Sequence, residues 1–106
     1  LLKRVVPQPG EGPSLEMQKN GYFTAKLWGK GVDASGKEVL VTAGIDARNG
    51  DPGYVQTAKM VAEAALCATF DKETAPATSG ILTPATAFGP ALRKRLDDKG
   101  INFFFI

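Results

Sequence analysis

Histidine is missing from this chain of 106 residues. That removes the usual general base, the commonest metal ligand and every Ser-His-Asp triad. Cys67 is the single cysteine, so an internal disulfide and a cysteine-based zinc site are both excluded, and no metal site is expected. One unpaired thiol is compatible with a reducing compartment, and the expectation is cytoplasmic. No apolar run approaches the length of a transmembrane segment, and Leu1-Leu2-Lys3-Arg4 is too short for a signal peptide. Charge excess is also lacking. The net charge is +2 and only Arg93-Lys94-Arg95 clusters basic residues, which suits an exposed helix face and gives no nucleic-acid-binding surface. A usable dinucleotide fingerprint is absent. Gly29-Lys30-Gly31 falls within a strand pattern and Gly10-Glu11-Gly12 runs into Pro13, whereas that fingerprint has to join a strand to a helix. The chain begins without Met and reads as a piece cut from something longer.

What is present centres on Gly50 to Phe70. Gly50-Asp51-Pro52-Gly53-Tyr54 is a turn, and Val55 to Phe70 is an alanine-rich run without Gly or Pro, which has strong helix propensity. Asp51 suits capping and Pro52 the first helical position. Gln56, Lys59 and Glu63 form a narrow polar stripe at i, i+3 and i+7, and nearly all the remaining circumference is apolar. The pattern predicts a central helix packed on at least two sides, with Ala58, Val61, Ala62, Ala65 and Leu66 almost free of solvent. On that reading Leu66→Ala is a costly core truncation. Cys67 belongs to the apolar part, which makes it a packed and unreactive thiol.

The rest reads as short elements. Residues 1–20 form an extended Pro/Gly-rich lead-in ending in a short helical turn capped by Ser14 and stopped at Asn20-Gly21. Residues 21–106 form a single α+β domain. Tyr22 to Val32 and Lys37 to Asp46 are the strands of a hairpin turning at Asp33 to Gly36. Gly29, Gly31 and Gly44 mark bulges or close backbone contacts. A polar loop from Asp71 to Gly80, containing Pro76, leads to a second helix that starts at Thr83-Pro84 and kinks at Gly89-Pro90. Ala85, Phe88, Leu92 and Leu96 are its apolar stripe. Gly100 ends it, and Ile101 to Ile106 is a final buried strand that can join the hairpin at either edge. The order β-β-α-α-β gives an α+β fold, an antiparallel hairpin plus a C-terminal strand packed by two helices.

Chemistry-bearing groups are few. Free amides at a helix start can hold an anion, so Asp51, Gly53, Tyr54 and Thr57 at the head of the central helix are the substrate-side candidates. The competing reading is ordinary capping with Tyr54 as packing. A carboxylate at Asp51 would stand where a pyrophosphate has to sit, so no cofactor-binding residue is assigned. No residue is assigned a catalytic role.

The blocks Pro9-Gly10-Glu11-Gly12-Pro13-Ser14 with Gly21-Tyr22-Phe23, Gly50-Asp51-Pro52-Gly53-Tyr54 with Thr57-Ala58-Lys59-Met60 and Glu63-Ala64-Ala65-Leu66-Cys67, and Gly80-Ile81-Leu82-Thr83-Pro84-Ala85 occur in order along the chain. Together they resemble the C-terminal part of saccharopine-dehydrogenase-like oxidoreductases, the group that includes the trans-acting enoyl reductases. The resemblance implies a longer parent with an N-terminal Rossmann domain that binds NAD or NADP, and it makes this chain the substrate-side or assembly domain. It shapes the pocket without carrying the chemistry. It also implies that this piece alone binds no NAD(P)(H). The alternative is a free-standing, non-enzymatic binding or dimerisation module. Either reading leaves apolar faces and open hairpin edges, with Phe103-Phe104-Phe105 at one end, and a homo-oligomer is expected.

Overall fold

The computed structural model describes residues 10–71 and 79–106. The parts of the lead-in and of the polar loop, with Pro76, that fall outside this range are not described. The elements are α1 (Leu15–Asn20), β1 (Phe23–Val32), β2 (Glu38–Ala47), α2 (Val55–Phe70), α3 (Pro84–Asp98) and β3 (Ile101–Phe105). The expected α+β order is the observed one.

β1 and β2 pair antiparallel from Phe23↔Ala47 to Val32↔Glu38 without interruption. The turn between them is held by Asp33, whose Oδ1 accepts from the Ser35 and Lys37 amides at 2.8 and 3.0 Å. β3 pairs antiparallel with the other edge of β2, from Ala43↔Phe105 to Ala47↔Ile101, which makes β2 central and leaves β1 at one edge. No bulge accompanies the strand glycines. At Gly44 the reason is close contact, since a Cβ there would lie 2.3 Å from the Phe104 ring.

Because side chains alternate across a pleat, this register assigns each residue a face. Phe23, Ala25 and Leu27 share one face with Ala43, Ile45 and Ala47 and with Ile101, Phe103 and Phe105. The core forms there: Ala47 and Ile101 bury against Cys67 of α2 and Leu92 and Leu96 of α3, with Phe23, Ile45, Met60, Phe88 and Phe103 partly buried around them. The other face carries Thr24, Lys26, Trp28, Thr42, Asp46 and Phe104. Beyond Leu27 the hairpin is mostly exposed, with Trp28 and Leu40 on its open surface and only Val39 and Thr42 half-buried. The last strand is buried only at its start, as Phe105 and Ile106 are exposed.

α1 is capped by Ser14, whose Oγ accepts from Met17 N at 3.2 Å. α3 starts at Thr83-Pro84, where Thr83 Oγ1 accepts from Thr86 N at 3.3 Å. Its axis breaks where expected: Gly89 takes φ 50°, ψ −131° ahead of Pro90. The left-handed residue that follows the helix is Gly100, at φ 80°, a conformation glycine adopts without strain.

α2 is oriented opposite to expectation. Its buried residues are Gln56, Glu63 and Cys67, so two members of the polar stripe point inward and the third, Lys59, is half-buried. Ala58, Val61, Ala62, Ala65 and Leu66 are exposed instead, Val61 by 65% and Leu66 by 40%. Two groups cause the inversion by giving the polar residues partners. The Gln56 amide donates to Arg48 O at 2.9 Å and to Gly50 O at 3.3 Å, and the Glu63 carboxylate accepts from Arg95 of α3 at 3.2 Å. The Gln56 amide nitrogen and the Glu63 carboxylate are thereby satisfied, while Gln56 Oε1 is buried with no hydrogen-bond partner among the described residues. Partners of this kind lower the cost of burying polar groups, and an apolar face can then be left outside.

Burial locates the stability. Ile101→Ala removes a fully enclosed side chain and is expected to cost about 2–5 kcal/mol in urea denaturation. Leu66→Ala is expected to cost well under half of the Ile101→Ala value. Equal costs would contradict the orientation of α2.

Candidate functional site

The turn singled out by the sequence is a closed polar assembly. Asp51 is 8% exposed. Its Oδ2 accepts from Gly53 N at 3.0 Å and Tyr54 N at 2.9 Å, and its Oδ1 accepts from Val55 N at 3.0 Å. Thr57 Oγ1 donates to Pro52 O at 2.7 Å. Pro52 therefore sits in the turn and the helix proper starts at Val55, later than the first-position reading of Pro52 implied. Backbone hydrogen bonds fasten the turn to the end of α1: Gly50 N donates to Gly21 O and Asp51 N to Gln18 O, both at 2.9 Å. Gly21 permits this approach, because a Cβ there would lie 2.7 Å from Asp51 Cα. The Tyr54 ring lies against Gly12 of the lead-in, where a Cβ would come within 2.8 Å of the phenolic oxygen.

The structure thus brings Asp51, Gly53, Tyr54 and Thr57 together, but as a self-contained cap. The three amides that would meet an anion already donate to Asp51. Those hydrogen bonds, led by that of Val55, hold the Asp51 carboxyl below the usual carboxylate range. A dinucleotide pyrophosphate does not fit here, since the carboxylate occupies its place and repels it. The capping reading describes the geometry.

Sequence reasoning missed the charged cluster between α2 and α3. Arg95, half-buried on α3, pairs with Glu63 Oε2 at 3.2 Å and meets both oxygens of Asp71, just past the end of α2. Asp71 foremost, then Glu63, raises the Arg95 guanidinium above its ordinary range, and Arg95 in turn holds the Asp71 carboxyl down. Cys67 lies in the same interface. Burial pushes its thiol up and the adjacent Asp71 carboxylate adds to this, so the thiolate needed of a nucleophile is disfavoured, as expected. Because the Glu63 side chain is only 8% exposed, its proper partner is a requirement of the fold. The signal was available only as spacing: Glu63 and Cys67 share a helix face, but Arg95 is distant in sequence. Among the described residues no group of three or more Asp, Glu, Cys or His is placed to hold a metal.

Beside the Arg95 cluster an open hollow of about 410 Å³ is lined by Asp71, Ala91, Lys94, Arg95 and Asp98; two other hollows are apolar. Leu27, Ala43, Ile45, Phe103 and Phe105 line a trough of about 260 Å³ beside α3. A second hollow of about 220 Å³ lies between Pro84, Gly89, Leu92 and Phe103. Arg93 borders both, its guanidinium 5.8 Å from the centre of the Phe105 ring and 3.5 Å from Asp97. With the outward face of α2, these are the surfaces the chain offers to something else.

Comparison with known proteins gives a consistent set of relatives. A Mycobacterium tuberculosis protein with the provisional name trans-acting enoyl reductase is 36% identical over 102 residues, covering 96% of this chain and 23% of its own length. A Mycobacterium bovis trans-acting enoyl reductase is 32% identical over 101 residues, covering 95% of this chain and 23% of its own. One from Mycobacterium ulcerans is 34% identical over 100 residues, covering 94% and 22%. The chain therefore spans under a quarter of the length of the curated relatives it matches. No family model matches the chain, and no solved structure matches it.

Two outcomes follow from the polar assemblies. The folded-state carboxyls of Asp51 and Asp71 are depressed, so their contribution to stability is fully present above the unfolded carboxylate pKa of about 3.9 and is lost as pH falls through the folded values. Asp51→Asn is expected to lower the urea midpoint at neutral pH, with the difference from the unaltered chain shrinking on acidification. A pH-independent difference would contradict the capping role. Arg95→Met, which leaves Glu63 enclosed without its cation, is expected to lower the urea midpoint, and adding Glu63→Gln is expected to restore part of the loss.

Proposed function

We propose that this chain is the substrate-side or assembly domain of a longer, NAD(P)-dependent oxidoreductase of the trans-acting enoyl reductase kind, built on the saccharopine-dehydrogenase-like plan. Its work is to form a pocket wall and a docking face, with the hydride chemistry carried elsewhere in the polypeptide. The observation that carries this reading is the outward face of α2. A helix whose buried stripe is Gln56, Glu63 and Cys67 and whose outward side presents Ala58, Val61, Ala62, Ala65 and Leu66 has the apolar face of a core helix, left uncovered among the described residues. Exposed apolar faces of this kind mark contact sites.

Three further observations support the reading. The similarity to the enoyl reductases covers nearly all of this chain and a minor part of theirs. The ionisable groups of the turn and of the α2–α3 interface are consumed in holding the fold. Two of the hollows are apolar, with Arg93 at their rim, and these suit walls around a largely hydrocarbon group better than a centre for acid–base work. NAD or NADP belongs to another part of the longer protein on this account, because the one glycine-bearing helix start here is closed by Asp51.

The test compares the chain alone with the full-length gene product. Val61→Glu is expected to change the stability of the chain alone by no more than about 0.5 kcal/mol, as for an exposed site. In the full-length protein the same change is expected to lower the Tm clearly. NADPH titration, followed by fluorescence or heat, is expected to saturate with the full-length protein and not with the chain. Saturable micromolar binding to the chain alone would contradict the assignment, as would a full-length protein indifferent to Val61→Glu.

A further inference from the structure

Two glycines in β1 have no explanation within the chain. A Cβ at Gly31 would meet nothing within 4 Å, and one at Gly29 would meet only the Val41 carbonyl oxygen at 3.9 Å. This contrasts with Gly44 and Gly21, whose missing side chains make room for close neighbours. Glycine inside a strand costs conformational entropy and packs nothing. Gly29 and Gly31 both lie on the face of β1 shared with Phe23, Ala25 and Leu27. β1 is also an edge strand: β2 takes one side, and among the described residues no strand takes the other. An uninterrupted edge of this length, without proline or bulge, is a template for another strand.

We propose that β1 pairs antiparallel with β1 of a second copy, about a two-fold axis at Leu27, to make a continuous six-stranded sheet. The lysines select that register. A two-fold axis perpendicular to the sheet keeps each face on its own side, so a residue can oppose only residues an even number of positions away. Centring the pair on Lys26 or on Lys30 sets a lysine against itself, and centring it on Trp28 sets Lys26 against Lys30 twice. Like charges directly opposite destabilise a pair. Centring on Leu27 avoids every lysine–lysine opposition and pairs the strand from Phe23 to Gly31. Moving the centre further, to Ala25 or Gly29, shortens the ladder. Lysines are a common device for blunting an edge; here they leave one full-length pairing open.

The same register explains the glycines. Phe23 stands opposite Gly31 of the second copy and Ala25 opposite its Gly29, so the aromatic ring covers the bare backbone, the arrangement by which an aromatic neighbour rescues a strand glycine. On the other face Lys26 stands opposite the exposed Trp28 of the second copy, whose ring accepts a cation, and Thr24 opposite its Lys30. Each contact occurs twice, as an isologous interface requires.

The test uses sedimentation equilibrium of the full-length gene product, a readout that does not depend on cofactor or activity and so stands apart from the proposed oxidoreductase role. Trp28 is 74% exposed, so its replacement leaves the fold intact, which far-UV circular dichroism verifies. Trp28→Glu places a carboxylate opposite Lys26 of the second copy, and the dimer is expected to persist. Trp28→Lys restores the forbidden opposition, and its dimer dissociation constant is expected to be at least tenfold that of Trp28→Glu. Under oxidation Leu27→Cys is expected to cross-link two copies, because directly opposed residues of either pair type lie within disulfide reach. A monomeric protein, equal dissociation constants for the two Trp28 variants, or no cross-link at Leu27 would each overturn the proposal. The first result would instead leave the edge to a strand of the longer polypeptide.

Discussion

The charge pairing inside the α2–α3 interface sets the rest of the molecule. Arg95 reaches from α3 to Glu63 in the middle of α2 and to Asp71 at its end, which fixes both the rotation of α2 and the height at which α3 crosses it. With Glu63 turned inward, Gln56 and Cys67 follow on the same face two turns and one turn away. The alanine face must then point outward. Without the guanidinium the helix would be driven to rotate, because an enclosed carboxylate lacking a partner costs more than an exposed alanine gains. One cation therefore decides which surface this chain keeps and which it offers.

Much of the fold was legible in the residues. Thr83-Pro84, Gly89-Pro90 and Gly100 located the start, kink and end of α3, and Asp33 to Gly36 located the hairpin turn, because these positions act through local backbone chemistry. The β-β-α-α-β order followed from them. The choice of sheet edge for the last strand did not, since an antiparallel strand without a crossover fits either side. The larger error concerned α2. A hydrophobic stripe reads as buried only if water surrounds the other side, and by local pattern alone Gln56 and Glu63 read as the wet face. Their partners, the carbonyls of Arg48 and Gly50 and the guanidinium of Arg95, come from other parts of the chain and leave no trace in the local pattern.

The candidate site divides in the same way. The assembly of Asp51, Gly53, Tyr54 and Thr57 was legible because a cap is a local motif, and its closure by three hydrogen bonds to one carboxylate is a matter of geometry. The Arg95 cluster was not legible. Together they leave a domain in which these charged groups hold structure and apolar surfaces remain available, as the proposed contact role requires.

That account rests on the outward face of α2 being covered in the longer protein, and side-chain solvent footprinting measures this directly. Hydroxyl-radical oxidation of Val61, Leu66 and Phe70 is expected to be strong in the chain alone, where all three are exposed, and strongly suppressed in the full-length gene product, while Trp28 serves as a separate reporter of the hairpin. Equal oxidation of Val61, Leu66 and Phe70 in the two proteins would contradict the account.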